Sequence, residues 1–235
     1  MQNPDLRTTK AADAPFAASG ALRETMVERQ IRTFDVTDAG VLARMGAVPR
    51  ELFVDPALAP LAYSDACLTV TGQAPREMTA PLILARLLKE ASLQASDRVL
   101  VVASGSGYAT ALIAGLVAKV VGLDEDAELT EKARANCAAL GLANVQFVTG
   151  PLGQGALGPF DLIFVDGVSQ GQFEILFNEL SEGGRLVAIV ADQAGARTGK
   201  AEMFKRADDH VSARNLFDAT SGALVAFNKP SGFVF

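Results

Sequence analysis

The 235-residue sequence predicts an α/β protein: a doubly wound, mostly parallel sheet of seven strands, with an antiparallel C-terminal hairpin and an N-terminal helical extension. Three observations carry that prediction. Short strands that are apolar on both faces, such as Val99-Leu100-Val101-Val102, belong in a sheet covered on both sides. Helical patterns alternate with these strands, as parallel crossover units require. The run Ser104-Gly105-Ser106-Gly107 stands between the first such strand and the next helix, where open α/β sheets bind ligands.

Taken in order, residues 1–20 hold Pro4, Pro15 and Gly20 and few large apolar side chains, so a flexible tail is expected, with order beginning near Ala21. Residues 21–235 read as a single domain in three parts: an extension and substrate loop over 21–91, a cofactor-binding core over 92–190 and a hairpin region over 191–235. Leu22, Met26, Val27, Ile31 and Phe34 recur at helical spacing, and a second short helix fits 38–45. Residues 49–75 contain Pro49, Pro56, Pro60 and Pro75 and are expected to form a long irregular segment wrapping the domain. A helix over 79–91 follows, with Thr79 placed to cap it and Pro81 in its first turn.

The alternation then runs through a strand at 98–102, a helix at 108–117, a strand at 119–123 and a helix at 127–140 ended by Gly141. Strands at 145–148 and 162–165, a helix at 173–180 and a strand at 185–190 complete it. Apolar clusters at 211–217 and 223–227, around Ser221-Gly222, read as the closing hairpin.

Composition excludes several function classes. Hydrophobic residues make up 49% and charged residues 20%, enough apolar surface for a core. A net charge of −6 without any basic cluster argues against a nucleic acid partner. Residues 1–20 lack the apolar core of a signal peptide and no window reaches the ~20 apolar residues of a membrane span, so a cytoplasmic protein without a membrane partner is expected. Cys67 and Cys137 lack metal-type spacing and read as reduced, small apolar side chains. The single histidine, His210, reads as a solvated residue before a strand, which leaves Ser-His-Asp catalysis and most zinc sites without their histidine. No metal is expected.

At the ligand end of the sheet, glycine lets the backbone turn sharply and approach a ligand without a Cβ in the way. Asp124, at the end of the next strand, is an acid that can accept both hydroxyls of an adenosine ribose. The other reading of Asp124-Glu125-Asp126 is a solvated loop. A dinucleotide fingerprint would want its third glycine where Thr110 stands, so a cofactor with adenosine and no phosphate is favoured. The cofactor-binding candidates are Ala103, Ser104, Gly105, Ser106, Gly107, Asp124, Glu125 and Asp166.

Several runs, in this order and spacing, resemble the protein-L-isoaspartate O-methyltransferase family, a class I S-adenosylmethionine-dependent methyltransferase fold. They are Met26-Val27-Glu28-Arg29-Gln30-Ile31-Arg32, Val48-Pro49-Arg50-Glu51-Leu52-Phe53-Val54, Tyr63-Ser64-Asp65, Ser104-Gly105-Ser106-Gly107-Tyr108, Pro159-Phe160-Asp161 and Gly183-Gly184-Arg185-Leu186-Val187. The resemblance covers residues 22–190, more weakly the C-terminal region.

It implies transfer of the S-adenosylmethionine methyl group to the free carboxylate of L-isoaspartyl residues in damaged peptides and proteins, as a repair step, leaving S-adenosylhomocysteine. Such an acceptor, with a pKa near ~4, is ionised at neutral pH and needs no general base, which suits a chain so poor in histidine. The family's substrate-contacting hydroxyl falls on Thr79 in Thr79-Ala80-Pro81, either as the group that donates to the carboxylate or as a plain helix cap. Tyr63 and Asp166 are the other substrate-binding candidates.

The chain departs from the family at Val101, where an acid is usual, at Ala103, where glycine is usual, and at Pro151, where an acid near the adenine is usual. The substrate loop Ala74-Pro75-Arg76-Glu77-Met78 is longer and more charged than the family's, and Asp166 replaces a small neutral residue. Asp166 either contacts a substrate amine or caps the following loop. On these departures two other functions stay open: a binding or scaffold protein without catalysis, and a methyltransferase for a different acceptor. Oligomeric state is open as well.

Overall fold

The computed structural model describes residues 14–73, 76–208 and 210–229. Helix α1 (Ala14–Thr25) runs directly into a π-helical turn (Met26–Ile31) and a 3-10 turn (Arg32–Phe34). Helical order thus begins at Ala14 rather than at the expected Ala21; residues 1–13 of the expected tail lie outside the described residues. Helix α2 (Ala39–Ala47) starts after Asp38, whose carboxylate accepts the Val41 N–H at 2.8 Å and satisfies a first-turn donor.

The proline-rich stretch is more ordered than expected. It forms two 3-10 helices, Arg50–Phe53 and Pro56–Leu61, and then strand β1 (Leu68–Val70), which pairs antiparallel with β2 (Arg76–Met78). Leu68 and Val70 are buried and Thr69 is exposed, a period-two pattern too short to read among its neighbours. Helix α3 (Pro81–Glu90) has Ala80 as its N-cap, so the capping role expected of Thr79 is corrected; Asp65 Oδ1 instead accepts the Leu82 N–H at 3.1 Å.

The main sheet follows as β3 (Arg98–Val102), α4 (Tyr108–Ala114), β4 (Lys119–Asp124), α5 (Ala127–Ala139), β5 (Val145–Thr149), β6 (Phe160–Ser169), α6 (Glu174–Asn178), β7 (Leu180–Val190), β8 (Thr198–Ala207) and β9 (His210–Thr220). Its seven strands lie in the order β5-β4-β3-β6-β7-β8-β9, parallel from β5 to β7 and antiparallel from β7 to β9. The class of fold is as expected, with one topological correction. The closing hairpin is β8–β9, with its turn between Ala207 and His210, not a hairpin about Ser221-Gly222. Strand β8 mixes polar and apolar side chains on both faces, with Ala201 and Met203 packed against one core and Phe204 against the other, so no clean alternation marked it. Residues 223–227 form no strand; one bridge, Val168–Ala223, ties them to the sheet, and Leu224 and Phe227 pack into the second core.

Side chains of β3 alternate between two cores, Val99 and Val101 on one face, Leu100 and Val102 on the other. The first core takes Met26, Ile31, Leu84 and Leu112 from the helices; the second takes Phe160, Phe173, Leu176 and Leu186. Helix α4 is buried on every side, which its uniformly apolar sequence demands. The chain moves outward from β3 to β4 and β5, then returns to β6 on the other side of β3. That reversal opens a crevice at the carboxyl ends of β3 and β6, the place for a ligand in such sheets.

Candidate functional site

Beyond Val102 the backbone turns through Ala103 (φ 60°), Gly105 (φ 54°) and Gly107 (φ 95°) before entering α4. Gly107 is required twice over, because a Cβ there would also lie 3.0 Å from that of Ala133 on α5. Gly105 needs only its conformation, since its Cβ would face open space. Ala103 holds a left-handed conformation that costs a non-glycine residue roughly 1–2 kcal/mol. Ser106 Oγ anchors the loop by donating to the Phe53 carbonyl at 2.6 Å.

Asp124 ends β4 beside this loop and is completely buried. Its Oδ2 accepts the Gly105 N–H at 2.8 Å and its Oδ1 the Asp126 N–H at 3.0 Å. The solvated-loop reading of this acid is therefore set aside. The carboxylate is also gripped by Arg76 from β2: Nε stands 3.0 Å from Oδ2 and Nη2 stands 3.0 Å from Oδ1. Nη2 reaches on to the half-exposed Glu125 at 3.0 Å. Arg76 is itself only 12% exposed at its side chain. Sequence reasoning marked its segment as charged and missed this contact.

On the opposite wall, Asp166 lies where β6 loses register with β7, between the pairs Phe164–Val187 and Val168–Ile189. Such bulges re-aim side chains, and this one sends Asp166 into the crevice. Asp166 Oδ1 accepts from Thr79 Oγ1 at 2.5 Å, and Thr79 Oγ1 stands 2.5 Å from Ser221 Oγ. Thr79 has one hydroxyl hydrogen, so Ser221 must donate in that second contact. Burial pushes the Asp166 carboxyl up to about 6, against the opposing pull of Thr79, Arg50 and Arg76. The loop-capping reading of Asp166 gives way to this cluster. Beneath it, Arg50 is fully buried, donates from Nη2 to the Thr79 carbonyl at 2.9 Å and lies 4.7 Å over the Tyr108 ring. Arg50 and Ser221 were both missed as site residues: Arg50 stood inside a quoted motif without a role, and Ser221 read as a turn.

Two cavities open here. The first, only about 10 Å³, is bordered by Ala103, Ser104, Gly105, Ser106, Tyr108 and the β2 residues. The second, about 290 Å³, is bordered by Arg197, Gly222 and Leu224. Arg76, Glu77 and Asp166 border both. Of the candidate residues, Thr79, Gly107, Asp124, Glu125 and Tyr63 line neither: Asp124 and Glu125 are held by Arg76 and Thr79 by Asp166, while the Tyr63 hydroxyl donates to Glu51 and accepts from Arg23 at 3.3 Å and its carbonyl accepts from Gln30 at 3.1 Å. Val101 is sealed in the core, and Pro151 begins the turn after Gly150, whose N–H donates to the Asp124 carbonyl at 2.9 Å. Among the described residues no cluster suits a metal ion, and no helix is long and apolar enough to cross a membrane.

The residues fit an adenosine cofactor in most respects. A carboxylate stands at the strand tip, the loop turns with positive φ, and the buried Ser104 Oγ has no hydrogen-bond partner among the described residues. Two features stand against immediate entry: Arg76 lies on the carboxylate, and the first cavity is smaller than the ~300–1,000 Å³ of ordinary ligand pockets.

Among solved structures, one named protein-L-isoaspartate O-methyltransferase superposes with a TM-score of 0.73 at 24% identity, covering 88% of this chain and 65% of that one. Another, a putative protein-L-isoaspartate O-methyltransferase from Plasmodium falciparum in complex with S-adenosyl-L-homocysteine, gives 0.70 at 21% identity, covering 86% and 97%. Both are likenesses of fold. A curated protein-L-isoaspartate O-methyltransferase of Burkholderia mallei (strain SAVP1) is 37% identical over 196 residues, 79% of this chain and 60% of its own length. The chain thus spans about 60% of the length of such relatives. The family model described as Protein-L-isoaspartate(D-aspartate) O-methyltransferase matches residues 21–221, and the chain belongs to that family.

Proposed function

We propose that this chain transfers the methyl group of S-adenosylmethionine to the free carboxylate of L-isoaspartyl residues in peptides and proteins. The observation that carries the reading is Asp124, placed at the tip of β4 with Gly105 N–H on its carboxylate, near a cleft lined by Asp166, to which Thr79 donates. When bound, S-adenosylmethionine supplies an electrophilic methyl on a sulfonium. The chain's part is to seat the ribose hydroxyls on Asp124, line the cavity with the 103–107 loop, and align the acceptor. An ionised carboxylate needs no base, so alignment in a site closed to water accounts for catalysis.

Thr79 and Asp166 are our acceptor-side residues. Tyr63, tied into the Glu51–Arg23 network, is not carried forward in that role. We read residues 21–235 as one working domain in the cytoplasm, where Cys67 and Cys137 stay reduced. Incubation with methyl-labelled S-adenosylmethionine and an isoaspartyl peptide should yield a base-labile methyl ester, absent with the aspartyl peptide. Tight cofactor binding without any ester would sink the proposal.

A further inference from the structure

Among the described residues Arg76 is the only cation that borders both cavities, and its role there is inferred on the basis of the function proposed above. A carboxylate has about four lone-pair positions. Those of Asp124 are taken by Gly105 N–H, Asp126 N–H and the two arms of the Arg76 fork. A ribose hydroxyl can donate to Asp124 only after the fork has left.

Among the described residues the Arg76 guanidinium is held by carboxylates on the cofactor side, Asp124 and Glu125. On its other side lies the cleft of about 290 Å³, where Asp166 sits and where Arg197 is engaged by Glu77 at 2.5 Å. A carboxylate acceptor entering that cleft meets the carboxyl of Asp166, and like charges there disfavour it unless a cation faces both.

We propose that Arg76 is an exchangeable occupant of the ribose seat: without cofactor it neutralises Asp124, and once displaced it turns into the cleft and holds the acceptor's carboxylate. Arg76 is then a substrate-positioning residue whose availability depends on the cofactor. Cofactor and acceptor bind with positive coupling, and the cofactor binds first. The coupling is reciprocal by thermodynamic necessity.

The test is calorimetry on the full chain, titrating S-adenosylhomocysteine into the parent, Arg76→Ala and Arg76→Lys, then an isoaspartyl peptide with and without S-adenosylhomocysteine. In the parent, S-adenosylhomocysteine should tighten peptide binding by a factor in the usual coupling range of about 5–150. In Arg76→Ala, S-adenosylhomocysteine should bind about fivefold tighter or better, because its competitor is gone, while the peptide loses its dependence on it. In turnover, KM for the peptide should rise about tenfold with kcat changing less, the pattern of lost uniform binding.

Arg76→Lys keeps a charge without the fork and should fall between the two. If Arg76→Ala does not fold, the same comparison is read from the lysine variant. Equal or weaker S-adenosylhomocysteine binding in a folded variant overturns the exchange and leaves the proposed function standing. Absence of binding in the parent and in every variant overturns both.

Discussion

Thr79 Oγ1 and Asp166 Oδ1 meet at 2.5 Å across the crevice, joining the loop before α3 to the bulge of β6. The ionisation of the site is set by burial, with this contact pulling the other way. Burial raises the Asp166 carboxyl from 3.8 to about 6, so the folded chain holds this proton more tightly than the unfolded one. The resulting stability is fully present below about pH 3.8 and is lost as pH rises through about 6. Asp166→Asn, neutral throughout, should exceed the parent by about 1–3 kcal/mol above pH ~6.5 and lose that advantage below pH ~4. Urea unfolding of both proteins across that range measures it, and a constant difference would contradict the assignment.

Thr79→Val removes the donor that favours the charged form of Asp166. Its cost should be about 1–3 kcal/mol for the unsatisfied buried groups. The pH at which the Asp166-linked stability is lost should also move upward, which a change in packing alone would not produce. Comparing the pH–stability curve of this variant with that of the parent gives the answer.

Asp124→Ala strands the Arg76 guanidinium and two backbone N–H groups in a buried place. Removing one member of a buried pair costs about 3–5 kcal/mol, and that loss is expected here in urea denaturation. S-adenosylhomocysteine binding should weaken about tenfold or more, since charge-assisted hydrogen bonds are worth about 1.5–3 kcal/mol each. Unchanged affinity would remove Asp124 from the ribose role.

Gly105 and Gly107 separate two causes of glycine requirement. Gly105→Ala meets only its backbone conformation and should lose about 1 kcal/mol. Gly107→Ala meets Ala133 as well and should lose about 2–3 kcal/mol or more. The reverse change, Ala103→Gly, relieves about 1–2 kcal/mol of left-handed strain against about 0.4–1 kcal/mol of added freedom in the unfolded chain, a net gain below about 1.5 kcal/mol. The denaturation midpoints should rank Ala103→Gly highest, Gly105→Ala next and Gly107→Ala lowest.

How much of the molecule was legible depended on the range of the interaction. Strands β3 to β7 and helices α3 to α5 were readable because their apolar periods are local and strong. The loop 103–107 and Asp124 were readable because strand, turn and helix follow one another directly. Strand β8 was not, since polar and apolar side chains share both its faces, and α1 was not, since Pro15 and Gly20 mask a helix that continues into the π-helical turn after it. Arg76, Ser221 and Arg50 carried no local sign of their partners.

By itself the sequence determined the class of fold, the strand–loop–helix that faces the ligand, the acid at the tip of β4 and the family. All are written in patterns a few residues long or in motifs kept in order along the chain. Tertiary structure decided what those groups touch. Arg76 meets Asp124 across 48 residues, Thr79 meets Asp166 across 87, and Thr79 meets Ser221 across 142. A side chain's hydrogen-bond capacity is a property of its residue type, but its partner is set by which strands the sheet brings together, and the order β5-β4-β3-β6-β7-β8-β9 is a global outcome of packing.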